Sequence, residues 1–284
     1  MKNIFVSFAL LVFLSGVTIQ KTQAQIIDGA FQREDVYKRK PTPLPYVREA
    51  DVMWSKKVWR IIDLREKMNQ AMYFPTQEVE KKNNLVNLFL LGIKDAKLTA
   101  YDPKNDDEFK VPMTYEQVKE AFGATAKIRK VRSVDTGEMV DAPVTGEIRS
   151  EEIKQIMLKE EWYFDKQTST LNVRIIGICP IREYYAESDV NQETVLRQKV
   201  FWIYYPEARE LMAANEVFNG QNTAHNSTYD DIFLKRIFTS YIIKESNVYN
   251  NRAISQYLTG KEALLESKRI ENDIFDYEQN LWEY

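Results

Sequence analysis

From Ala124 to about residue 205 the apolar residues of this chain recur at every second position, and no other feature of the sequence constrains the fold as tightly. A period of two sends alternate side chains to opposite faces of an extended backbone, so it is satisfied by strands and not by helices. Leu171, Val173, Ile175, Gly177 and Cys179 fall on one face of such a strand, and Trp162 and Phe164 alternate with polar neighbours. Stretches 126–134 and 138–144 flank Asp135-Thr136-Gly137, a hairpin turn signal. Val200, Trp202 and Tyr204 alternate with Phe201 and Ile203, so this segment is apolar on both faces, which predicts a central strand.

Outside that region, and over 150–158 within it, the period lengthens to that of a helix. Trp54, Val58, Ile61, Arg65 and Met68 predict a helix over 51–70, with Asp51 as its cap and with Trp54 and Trp59 on different sides. Further helices are expected over 82–92, 150–158, 227–243 and 251–258, with Gly260 as a stop, and Pro206 suits the first turn of another. Leu98 to Tyr101 reads as a short strand, and 215–227 as a polar loop. Thr114-Tyr115-Glu116-Gln117 is a capping box that opens a helix to Phe122, with Gly123 beyond it. Ile270, Ile274, Tyr277, Leu281 and Tyr284 define a last helix, with Phe275 and Trp282 on a neighbouring stripe. The expectation is an α+β fold: an antiparallel sheet over about 124–205, flanked by N-terminal and C-terminal helices.

The first 24 residues read as a secretory signal peptide. Lys2 supplies the charged start and Ile4 to Val17 the apolar run, which is too short to span a bilayer; cleavage is expected between Ala24 and Gln25. No cysteine stands near that bond, which argues against a lipid anchor. Residues 25–46 form an arm: Pro41, Pro43 and Pro45 favour extended backbone and forbid helix. The arm reads either as a flexible tail or as a segment that orders on a neighbouring subunit. Residues 47–284 are then a single α+β domain.

Little of the usual catalytic vocabulary is present. The 284 residues hold one cysteine and one histidine, and Lys+Arg number 39 against Asp+Glu 42, for a net charge of -3. That balance argues against a disulfide framework, a Cys-rich zinc site and a general nucleic-acid binder. Cys179 sits in an apolar stretch and is expected to be buried and inert; His225 lies in a polar loop and reads as a surface residue. The stretch 102–108 is acidic but departs from the EF-hand pattern, with Lys104 at its third position and no glycine at its sixth. No cofactor or metal is implied. The acid pairs Glu151-Glu152, Glu160-Glu161 and Asp230-Asp231 leave a carboxylate-dependent hydrolase as one alternative, which predicts a cleft with two facing acids and one raised pKa. A small-ligand-binding module is another, and predicts an apolar pocket of about 300 Å³ or more. Lys127, Arg129, Lys130 and Arg132 form a basic cluster, read as a solvated strand face or a site for an acidic protein or lipid head group. Asn226 fits a glycosylation sequon. Five Trp, 16 Tyr and 14 Phe are many for a chain without a visible site; core packing accounts for most of them, and a surplus at the surface would point to protein interfaces.

Two blocks carry more than composition. One runs from Arg48-Glu49-Ala50-Asp51-Val52-Met53-Trp54 through Lys57-Val58-Trp59-Arg60 to Gln70. The other runs from Tyr257-Leu258-Thr259-Gly260-Lys261-Glu262 to Leu281-Trp282-Glu283-Tyr284. Both resemble the gliding motility protein GldN, called PorN in non-gliding relatives. The resemblance implies a periplasmic component of the type IX secretion system, associated with the inner face of the outer membrane. It implies a ring assembled with the lipoprotein GldK (PorK), subunit against subunit, that meets the periplasmic part of GldM (PorM). It carries over no catalytic residue. In that light Pro41, Pro43, Pro45, Trp54, Trp59, Phe275 and Trp282 are the candidate interface residues, with the domain's own core as the alternative place for each of the four aromatics, and membrane contact would run through the lipoprotein.

Overall fold

Every second residue of Val52–Lys57 is exposed, and the next five, Val58 to Ile62, are all buried. That pattern belongs to a strand that starts at an edge and then runs between two covered faces. In the computed structural model, which describes residues 38–79, 82–104, 107–124, 127–132, 139–144, 146, 148–185, 194–218 and 227–282, the segment is strand β1 (Val52–Asp63). This corrects the helix expected over 51–70. The positions that fit a helical spacing also fit a strand apolar on both sides, and the run is rich in Val, Ile and Trp, which suit a pleated surface.

Strand β1 enters the sheet by pairing antiparallel with β6 (Ile153–Asp165), Trp54 opposite Phe164 and Ile62 opposite Ile156. Its other edge takes β10 (Tyr241–Glu245). β6 pairs with β7 (Thr170–Tyr185), which carries both β8 (Val195–Lys199) and β9 (Trp202–Tyr204). β2 (Ala100–Tyr101) and β3 (Pro112–Met113) complete an eight-stranded sheet of order β10-β1-β6-β7-β9-β2-β3, with β8 off that path. β4 (Lys127–Arg132) and β5 (Met139–Val144) form a separate hairpin. The fold is α+β with an antiparallel sheet, as the alternation predicts. The sheet reaches beyond 124–205 at both ends, because β1 and β10 join it.

Among the described residues six helices accompany the sheet: α1 (Gln70–Tyr73), α2 (Leu85–Lys94), α3 (Tyr115–Ala121), α4 (Tyr205–Ala213), α5 (Tyr229–Leu234) and α6 (Gly260–Trp282). The capping box at Thr114 forms as expected, Thr114 accepting from the Gln117 amide and Gln117 from that of Thr114. Three other helix expectations shorten. Residues 150–158 make one 3-10 turn and then β6. The helix expected over 227–243 ends at Leu234, because Arg236 adopts φ +54° and the chain turns into β10. The segment 251–258 keeps only a 3-10 turn at Ile254–Gln256, and Gly260 (φ +60°) opens α6 instead of closing a helix before it.

The core divides by sheet face. On one face Ile62, Ile156, Leu158 and Ile178 pack under Leu88 and Phe89 of α2, Met212 of α4 and Phe233 of α5. Further along the same face Val58 and Ile242 meet Ile270 and Ile274 of α6. Neighbouring strand positions point the other way: Trp59, Ile61, Met157, Cys179, Ile181 and Trp202 form a second buried cluster. Phe109 covers part of it, reached by the acidic stretch. A Cβ on Gly177 would lie 2.4 Å from the Phe109 ring, so glycine at 177 is what admits that plug. Lys159 secures the same loop by donating to the Asp107 carbonyl (2.6 Å).

Candidate functional site

The interface residues expected from sequence separate once placed. Trp54 stacks on Tyr277 with ring centroids 4.6 Å apart, and Tyr277 also meets Phe164 edge-on. Phe275 meets Trp162 edge-on at 6.4 Å yet stays 49% exposed, so it serves the domain and also shows a face to solvent. Trp59 is buried on the far face of the sheet, with the Lys244 ammonium 4.2 Å above its ring. Trp282 closes α6, and its side chain lies outside the described residues. Ala24, Gln25, His225 and Asn226 also lie outside them, as do the side chains of Lys127, Arg129, Lys130 and Arg132.

The described end of the proline arm, residues 38–46, lies along its own domain. Arg209 donates to the Thr42 carbonyl at 2.6 Å, and Arg174 donates to the Pro45 carbonyl. Pro43 and Pro45 are exposed and Pro41 is half-buried. Tyr46 stands 89% exposed beside them.

Each acid pair contributes at least one carboxylate to a structural ion pair. Glu152 holds Arg182 (2.5 Å), Asp230 holds Arg209 (2.9 Å) and Asp231 caps α5 while holding Lys235 (2.9 Å). Glu160 is the sharpest case. Its side chain is 0% exposed, and Arg236 grips it through two donors at 2.9 and 3.2 Å. The Trp162 indole donates to it at 3.2 Å, and Arg60 passes at 3.9 Å on its way to Glu271 of α6 (2.6 Å). Burial lowers the Arg60 pKa, opposed by the Glu160 charge. The Glu160 pair is visible in the sequence but its arginines are not, because Arg60 and Arg236 lie far from it along the chain. Among the described residues the carboxylates shifted from their ordinary range move down: Asp51, Asp63 and Glu266 chiefly through hydrogen bonds from arginine, and Asp231 against its own burial, through Lys235 and Thr228. A hydrolase pair would need one raised instead. Among the described residues no three or more His, Cys, Asp or Glu side chains stand where they could hold a metal ion. Cys179 is fully buried, and burial pushes its thiol up to about 12.

A concave surface large enough to bind lies on the second sheet face. A groove of about 390 Å³ crosses the second sheet face, between the strands and the start of α6. Its floor is apolar, and its polar side chains, Gln155, Ser255, Arg197 and Lys199, stand on different elements. It exceeds the volume set for a small-ligand module, but Leu264 on its bank is 59% exposed, so it is a trough and not an enclosure. Among the described residues no helix is long and apolar enough to cross a membrane.

A family model described as "Gliding motility associated protein GldN" matches residues 47–283. No curated protein matches the chain.

Proposed function

The chain belongs to the GldN family of gliding motility associated proteins, and from that premise we propose that it is a non-enzymatic structural subunit of the type IX secretion and gliding apparatus. In this reading it is exported, works in the periplasm, and assembles with the lipoprotein GldK (PorK) and with copies of itself into a ring at the inner face of the outer membrane. There it would receive the periplasmic part of GldM (PorM). The family match over nearly the whole folded domain is the observation that carries the reading. The engagement of the acid pairs by arginine and lysine supports it, since those carboxylates hold elements together. The exposed proline arm and the half-exposed Phe275 offer contact surface of the kind a repeated assembly uses.

The test is to purify residues 25–284 alone and with the lipoprotein, and to measure mass by light scattering and shape by electron microscopy. A stable complex that grows into rings is expected. A monomer indifferent to the lipoprotein would overturn the assembly.

A further inference from the structure

The groove on the second sheet face carries its own signature. It crosses five strands: Tyr241 of β10, Ile61 of β1, Gln155 of β6, Ile181 of β7, and Arg197 and Lys199 of β8 line it in turn. At the strand spacing of about 4.8 Å this gives a trough roughly 20 Å long. Ile254 and Leu264 form its bank where α6 begins. The two charged side chains in its lining are both basic, in a chain whose acids outnumber its bases. Arg197 shares Glu183 at 2.9 Å and is still 60% exposed; Lys199 is exposed too.

The floor also restricts what form an occupant takes. It is a sheet face and not a sheet edge, so it offers side chains and no free ladder of N–H and C=O groups. A segment lying there must satisfy its own backbone hydrogen bonds, and a helix does so. About 13 residues of helix span 20 Å. An apolar floor demands an apolar stripe at i, i+3, i+4 and i+7, and the basic β8 end favours acids on the flank that faces it.

We infer that this groove is a docking site for an acidic amphipathic helix of another protein. The inference goes beyond the assembly reading and rests on the groove alone, so a ring can form without it and it can hold without a ring.

The test uses two fluorescent synthetic helices of about 14 residues that share one leucine stripe, one with glutamate on its polar face and the other with lysine. Binding to the chain of residues 25–284 is followed by polarisation, beside the variants Leu264→Asp and the double variant R197E/K199E. All of these positions are exposed, and circular dichroism checks that each variant folds. The acidic helix is expected to bind at micromolar concentration, the basic one at least tenfold more weakly. Leu264→Asp should weaken the acidic helix tenfold or more, and the charge reversal should invert the preference. Equal binding of both helices, binding of neither, or unchanged binding to the variants would overturn the proposal. So would a concentration-dependent dimer that Leu264→Asp dissolves, since a second copy would then be the occupant.

Discussion

Glu160 shows what a single buried charge commits a fold to. Its carboxylate is fully buried and depends on Arg236, Trp162 and the nearby Arg60. Removing one partner from such a set leaves the others charged and dry, at about 3–5 kcal/mol. Glu160→Gln is therefore expected to destabilise the domain by that amount, read as a lower urea midpoint with unchanged slope. Asp63 adds a pH dependence of known sign. Hydrogen bonds from Arg65 hold its pKa below the usual value, so its contribution is present above the unfolded aspartate pKa of about 3.9 and lost as pH falls through the folded one. Asp63→Asn should lower stability at pH 7 and flatten the acid limb of a melting-temperature profile below about pH 4. Cys179 works at the other end of the scale. Its folded pKa of about 12 keeps the thiol protonated, so its contribution is whole below the unfolded value of about 8.5 and declines as pH rises toward 12. At pH 8 a thiol reagent should label it only at the rate of unfolding, and fast labelling of the native chain would show the site to be open.

At the scale of elements, Gly177 and Phe109 form one joint. An alanine at 177 has no room unless the ring moves, since its Cβ would lie 2.4 Å from that ring. Gly177→Ala is expected to cost about 1–3 kcal/mol, and most of that cost should vanish in a Phe109→Ala background, as a double-mutant cycle would read. The two residues lie far apart in the chain, so no local pattern announces the pair. What was legible follows the same rule of range. The capping box at Thr114, the hairpin of 127–132 with 139–144, and the doubly apolar β9 are short-range signals, and each formed. β1 was misread as a helix because Val58, Trp59, Ile61 and Ile62 are apolar in a run, and a run has no period of its own. What decides between helix and strand there is β6 lying 90 or more residues onward, which local reading does not supply. The same holds for β10, whose place beside β1 is set by pairing across 180 residues and more.

For the whole molecule, α+β is legible because the alternation over 162–164, 171–179 and 200–204 is strong. The groove is not, because it is assembled from five strands and the start of a helix that meet only in the fold. The candidate interface residues show the same limit: aromatic surplus is visible in a sequence, but whether Trp54 serves a neighbour or Tyr277 is a matter of placement. Truncation after Asp273 removes Phe275, Tyr277 and Glu278, which hold Trp162, Trp54 and the Leu171 amide. It is expected to lower the melting temperature while Ile270 still covers Val58, and to shift tryptophan emission toward the red as Trp54 and Trp162 become wet. That stack of Trp54 on Tyr277 also places the first strand and the last helix of the domain against each other. A pull applied between the start of β1 and the end of α6 therefore meets two aromatic rings and a few hydrogen bonds at that margin, and the load passes into the core through Ile274 and Ile270.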